Sequence, residues 1–261
     1  MKAMFDYPYI IELLSPRRDA GEKLENLLSR FADKYERTIS AGCGVSVPDN
    51  PMGQRRLSLL ECLEGRGLGV DPQKVIMNVN TFHTKPALDG KLKKAIQLGI
   101  RYLLVIRGDG SPDLPMLEPS SIGGKYNIAA THDLLSYINR EYPDVFETGV
   151  AFNPYKKMSF ELKHLQKKVD SGARFIITQP IIGRNENVDA IQKFNLPVIA
   201  EAWMSVNIRL FSKSVGMAED RSLKNYDPVE NLKTLHTAYP EACIYLALYD
   251  FKTELPYLKL I

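Results

Sequence analysis

The chain has 261 residues, 44% hydrophobic and 25% charged, with a formal net charge of +3. That balance suits one large globular domain or two small ones. The charge is too small to argue for nucleic acid, and no apolar run is long enough to cross a bilayer. The three cysteines (Cys43, Cys62, Cys243) are far apart and odd in number, and the four histidines (His83, His132, His164, His236) lack metal-ligand spacing. Neither a disulfide framework nor a metal site is expected. The N-terminal MKAMFDYPYIIELL lacks a signal-peptide layout, so the expected location is a reducing cytoplasm.

Strand-like runs recur with helix-like stretches between them. Tyr9 to Leu14 reads as the first strand and Gly21 to Tyr35 as an amphipathic helix, with Leu24, Leu27, Leu28 and Phe31 at helical spacing. Cys43 to Val47 is the second strand and ends in Pro48-Asp49-Asn50-Pro51; Gln54 to Gly65 is helical, with Leu57, Leu60 and Leu63 on one face. Val75 to Asn80 is the third strand, Pro86 to Leu98 a helix stopped by Gly99, and Tyr102 to Ile106 the fourth strand. Beyond Asp109 runs a long polar loop, GSPDLPMLEPSSIGGKYN, of the kind that covers ligands. Ala129 to Asn139 is helical, Thr148 to Phe152 the fifth strand, Phe160 to Val169 a helix, and Phe175 to Thr178 the sixth strand. Val188 to Phe194 is a short helix, Pro197 to Ala202 the seventh strand, Asn207 to Val215 and Pro228 to Ala238 helices, and Cys243 to Leu248 the eighth strand.

Eight strands alternating with helices predict a single (β/α)8 barrel over residues 1–261, with an open doubly wound sheet as the alternative. The first strand is followed by no Gly-rich dinucleotide fingerprint, which favours the barrel. The tail after the eighth strand leaves room for only a short or missing last helix. A bare flank there would need covering, by self-association or by a partner subunit.

In such a barrel the C-terminal strand ends share the ligand-binding face. They carry Glu12, Asp49 and Asn50, Asn78 and Asn80, Arg107 and Asp109, Asn153, Gln179, and Glu201. Glu12 sits between Ile11 and Leu13 inside an apolar strand, where burial favours a protonated carboxyl able to act as an acid. The bland alternative is a carboxylate paired to a Lys or Arg inside the barrel. Glu201 has the same two readings. Gln179 offers a donor and an acceptor to a heterocycle edge, or else caps its own loop.

These residues resemble the methylenetetrahydrofolate reductase family. IIELLSPRR, carrying Glu12, is similar to the family's FEFFPPR; GIRYLLVIRGD (Gly99 to Asp109) to GIRxxLALRGD; LQKKVDSGARFIITQP (Leu165 to Pro180) to LKRKVDAGADFAITQ; and MSVN (Met204 to Asn207) to PVSN. The resemblance implies a (β/α)8 barrel that reduces 5,10-methylenetetrahydrofolate to 5-methyltetrahydrofolate, with FAD passing hydride from NAD(P)H to the folate. It implies Glu12 as the acid that opens the methylene bridge. Arg107, Gly108, Asp109, Asn153 and Lys168 would lie on the flavin, and Gln179, Asp109 and Asp49 on the folate.

The chain also departs from the family pattern. Pro48-Asp49-Asn50-Pro51 replaces a Thr-Tyr-Gly-Ala turn, Asn153-Pro154-Tyr155-Lys156-Lys157 replaces a Tyr-Pro-Glu-x-His segment, and Ile208 and Leu210 replace an aromatic and a glutamine. Two alternatives follow: a family member without tightly held FAD or fed by a partner subunit, and a non-catalytic barrel that binds folate or a partner.

Overall fold

The computed structural model describes residues 4–218, 223 and 225–251. Its strands are β1 (Tyr9–Glu12), β2 (Gly44–Val47), β3 (Val75–Val79), β4 (Tyr102–Val105), β5 (Glu147–Phe152), β6 (Phe175–Ile181), β7 (Val198–Trp203) and β8 (Ile244–Ala247). The intervening helices are α1 (Leu24–Ser40), α2 (Leu59–Arg66), α3 (Lys85–Gln97), α4 (Thr131–Glu141), α5 (Met158–Asp170), α6 (Glu186–Ala190), α7 (Ile208–Val215) and α8 (Pro228–Ala238). The strands close into a barrel in chain order, β1 back to β8, as the alternation in the sequence predicts. The expected short or missing last helix falls on residues 252–261, outside the described residues. The three cysteines are buried and form no disulfide among the described residues.

Packing divides the chain into two arcs. The first comprises Leu13–Val150 and Lys167–Arg174; the second comprises the chain up to Glu12, Ala151–Gln166, and the chain from Phe175 on. In the first arc, β2, β3 and β4 are buried along their whole length. Continuous burial is what parallel strands covered on both faces demand, and their Val, Ile and Leu content supplies it. The ladder runs in register through Ser46 opposite Ile76, Met77 opposite Leu103, and Leu104 opposite Gly149. Helix α1 turns Leu28, Phe31 and Tyr35 inward, the face its apolar spacing predicts, but it begins after a short 3-10 turn at Gly21–Lys23 and runs on to Ser40.

Helix α2 starts five residues later than the sequence pattern suggests. Ser58 Oγ accepts from the Glu61 amide while the Glu61 carboxylate accepts from the Ser58 amide, a reciprocal cap that fixes the first turn. Gln54 itself is extended (φ −80°, ψ 128°) and Arg56 bridges Arg17, which rules out a helix starting at Gln54.

In the second arc, β6 runs three residues past its predicted end. Ile177 pairs with Ile199, yet Pro180 pairs with Glu201, so β6 carries one extra residue between those points. This bulge is where a strand can hold a proline. Thr178 Oγ accepts from the Glu201 amide at 3.0 Å and so satisfies a donor the ladder would otherwise leave open.

Candidate functional site

In the second arc the chemistry lies across β1, β8 and β7. Tyr9 points out of the barrel, where its hydroxyl meets His236 Nε2 at 2.7 Å. Side chains alternate along a strand, so Ile10 and Glu12 point the opposite way. Glu12 is the last residue of β1, and its Oε2 accepts from the Tyr245 hydroxyl at 2.9 Å. Tyr245 lies opposite Ile10 on one side and Glu201 on the other. One buried tyrosine therefore sits beside two glutamates contributed by the strands that flank it. Burial, and then the neighbouring Glu12 carboxylate, push the Glu201 carboxyl well above its ordinary range. Among the described residues Glu201 forms no ion pair, so nothing offsets that push.

Tyr155 completes the surroundings. Its hydroxyl donates to the Pro180 carbonyl at 3.0 Å, and burial together with Glu201 raises its pKa, which keeps it a neutral donor. Gln179 stands within the bulged stretch of β6 and is partly exposed. Asn153, just past β5, is spent on its own loop and on the end of α7. Its side-chain carbonyl accepts from the Tyr155 amide at 2.9 Å, and its Nδ2 donates to the Val215 carbonyl at 3.3 Å.

In the first arc Asp49, just past β2, is buried and fully engaged. Its Oδ2 lies 2.6 Å from His83 Nε2, and its Oδ1 accepts from Lys91 Nζ at 3.0 Å. Burial alone would raise this carboxyl; Lys91 and His83 overcome that cost and hold it at about 2. The cluster borders a cleft of about 230 Å³ that Arg18, Arg55 and Arg56 also line.

At the end of β4, Arg107 is exposed, and Asp109 Oδ2 accepts from the Met52 amide at 2.7 Å. Gly108 between them has φ +80°, and a Cβ there would come within 2.7 Å of the Asn80 side chain. Asn80 is itself pinned, donating to the Asp49 carbonyl and accepting from the Phe82 amide. Lys168 lies in the last turn of α5, away from the β4 end in sequence and partly exposed.

Each predicted site residue except Lys168 thus stands at or just beyond the C-terminal end of its own strand. Within the first arc, the structure joins Asp109 to the loop after β2; within the second, it joins Glu12 to β8. The sequence reading missed Tyr245, His83 and Lys91. Tyr245 has a faint signal, a hydroxyl in an otherwise apolar strand. His83 and Lys91 have none, since they reach Asp49 from 34 and 42 residues away. No group of three or more His, Cys, Asp or Glu among the described residues could hold a metal ion, and no helix there is long and apolar enough to cross a membrane.

A closed parallel barrel whose strands alternate with helices is a (β/α)8 barrel. Among such barrels the chain belongs to the methylenetetrahydrofolate reductase family, whose model matches residues 6–208. It is 39% identical over 97 residues to methylenetetrahydrofolate reductase 1 of Schizosaccharomyces pombe, covering 35% of this chain and 15% of that protein. It is 28% identical over 179 residues to methylenetetrahydrofolate reductase 2 of Saccharomyces cerevisiae, covering 66% of this chain and 28% of that one. The match therefore spans less than a third of the length of these curated relatives. A solved dihydropteroate synthase of Yersinia pestis in complex with a sulfonamide drug is similar over 100% of this chain and 96% of its own, at 14% identity and a TM-score of 0.50, a likeness of fold alone.

Proposed function

We propose that the chain reduces 5,10-methylenetetrahydrofolate to 5-methyltetrahydrofolate, with Glu12 as the proton donor. Family membership supports the substrate class. The observation that carries the acid is the setting of Glu12, which ends an apolar strand against the Tyr245 hydroxyl and beside Glu201. Opening the methylene bridge breaks a C–N bond, and the departing nitrogen needs a proton delivered by a positioned acid. In the second arc Gln179 would offer the pterin a donor and an acceptor; in the first, Asp109 and Asp49 are the expected folate contacts. The expected setting is the cytoplasm, with a second copy or a partner subunit as the expected protein partner.

FAD would supply the hydride, drawn from NAD(P)H. The residues expected to hold it do not make a matching cradle as a set. Both ends of the Asn153 amide are taken by the chain itself, one Asp109 oxygen is taken by Met52, and the glycine at position 108 is accounted for by Asn80 rather than by a flavin. Arg107 is the group of the set that stands exposed to offset negative charge. This favours, as a second reading, a family member that lacks tightly held FAD or takes electrons from a partner subunit. A non-catalytic folate- or partner-binding barrel is the third.

One experiment separates these readings: methyltetrahydrofolate formation by the purified protein with NADH or NADPH, with and without added FAD, followed alongside its absorbance spectrum. Flavin bands that bleach with the nicotinamide and return with the folate support the flavin-dependent reading. Turnover without flavin uptake supports the second. Replacement Glu12→Gln should cut turnover by about 10²- to 10⁴-fold with the fold intact; an unchanged rate would remove Glu12 from the acid role, and no turnover by the unaltered protein would leave only the binding role.

A further inference from the structure

We propose that the cleft of about 230 Å³ beyond the ends of β2 and β3 binds a phosphate group, gripped between Arg18 and Arg55. The inference does not rest on the reductase reading. It stands on how two segments of the first arc are paired.

The segment after β1 lies antiparallel to the one that leads into α2. Arg17 bridges Arg56, the Leu57 amide donates to the Pro16 carbonyl at 2.9 Å, and the Arg18 amide donates to the Arg55 carbonyl at 3.0 Å. This register sets Arg18 across from Arg55, and both line the cleft. Like charges directly across a strand pair repel, and an anion held between them relieves that repulsion. Arg18 is anchored at one corner: its Nη2 donates to both oxygens of Glu61, at 2.7 and 2.6 Å. Its Nε and Nη1 have no partner among the described residues. Arg55 is exposed, and its side chain makes no hydrogen bond or ion pair among the described residues.

Most other charges of the cleft are spent. Asp49 is held by Lys91 and His83, and Glu61 by Arg18 and by the Ser58 amide and hydroxyl. Arg56 also lines the cleft, but its guanidinium donates to the Ser15 carbonyl and to Gln54. Asp113, on the loop after β4, is exposed and forms no ion pair among the described residues. An incoming ligand therefore meets Arg55 and the open edge of Arg18, with Asp113 as the opposing charge. A guanidinium presents parallel N–H donors that match two phosphate oxygens, so two facing guanidiniums can hold one phosphate between them. The N-terminal end of α3, whose Thr84 and Ala87 line the same cleft, adds its dipole to the attraction.

The test is calorimetric titration of inorganic phosphate into the purified chain, as wild type, Arg55→Ala, Asp113→Asn and Arg30→Ala. Arg30 is an exposed arginine of α1 that does not line the cleft and serves as the control for unspecific charge. Arg55 and Asp113 are exposed and hold no side-chain bond among the described residues, so neither replacement threatens the fold. The expected result is saturable binding of phosphate that is weakened about 10-fold or more in Arg55→Ala. It should be tightened about two- to fivefold in Asp113→Asn and unchanged in Arg30→Ala. No saturable binding by wild type, or equal weakening by Arg55→Ala and Arg30→Ala, would overturn the proposal. NADPH and NADH, added as competitors, separate the sources of the group. Displacement of phosphate by either dinucleotide, itself weakened in Arg55→Ala, supports a phosphate carried on a nucleotide; displacement by neither supports the free ion as the ligand.

Discussion

Asp49 and Glu201 are both acidic residues drawn into the barrel near strand C-termini, one in each arc, and they have opposite fates. Asp49 is clasped by Lys91 and His83, and its pKa falls to about 2. Glu201 has another carboxylate as its charged neighbour, and its pKa rises. Burial penalises both anions, so the difference comes from the partners alone. A compensated buried carboxylate holds loops together, and here it ties the end of β2 to the start of α3. A buried carboxyl raised by burial and by a neighbouring carboxylate favours its protonated form, the arrangement acid–base chemistry uses. The contrast assigns a mainly architectural part to the Asp49 cluster and a chemical one to the row of Glu12, Tyr245 and Glu201.

The sharpest break of this contrast is Asp49→Ala. It leaves the Lys91 and His83 side chains, both mostly covered, facing each other without the carboxylate between them. Breaking one partner out of a buried pair costs about 3–5 kcal/mol, visible as a large drop in the denaturant midpoint. Glu201→Gln keeps the shape and removes a buried group whose ionised form is disfavoured, so its midpoint at neutral pH should stay level or rise. A loss of comparable size in both variants would erase the distinction between the two carboxylates.

Next in size is the pH dependence of stability, where the two should act with opposite sign. The folded-state pKa of Asp49 is depressed, so its contribution is present above its ordinary value of 3.8 and lost as pH falls toward about 2. A shift of that size corresponds to about 2 kcal/mol. Asp49→Asn should flatten this acid limb. The folded-state pKa of Glu201 is raised, so the folded protein holds a proton that the unfolded chain releases above about 4.5. Stability from this group is therefore full below that pH and lost as pH rises. Glu201→Gln should remove this loss, and chemical denaturation at a series of pH values reads both limbs.

The barrel was legible in the sequence because its signal is periodic: short branched apolar runs spaced by amphipathic helices, eight times over. Glu12 was legible because a lone carboxylate between Ile11 and Leu13 breaks that pattern. The helix start at Leu59 was missed because the Ser58–Glu61 cap outweighs the apolar spacing that begins at Leu57. The clasp on Asp49 was missed because His83 and Lys91 are ordinary surface residues in sequence and become a cluster only once β2 and β3 lie side by side. The bulge in β6 was hinted at by Pro180, since a central strand keeps a proline only where its ladder is interrupted. What the sequence could not supply was the register that brings Tyr245 beside Glu201, because a shift of one residue would turn each side chain to the other face.

The smallest effect probes that register directly. Thr178→Val keeps the branched shape but removes the acceptor for the Glu201 amide within the bulge. The lost hydrogen bond costs about 1 kcal/mol, a modest shift in the denaturant midpoint. The informative readout is the infrared C=O stretch of protonated Glu201 in the same protein. If Thr178 fixes where the Glu201 side chain departs, the freed backbone lets the two carboxyls move apart. The band should then titrate at lower pH than in wild type, because the Glu12 carboxylate that raises Glu201 is farther away. A stability loss with an unmoved titration would mean that the strand pairing to Tyr245 positions Glu201 without help from the bulge.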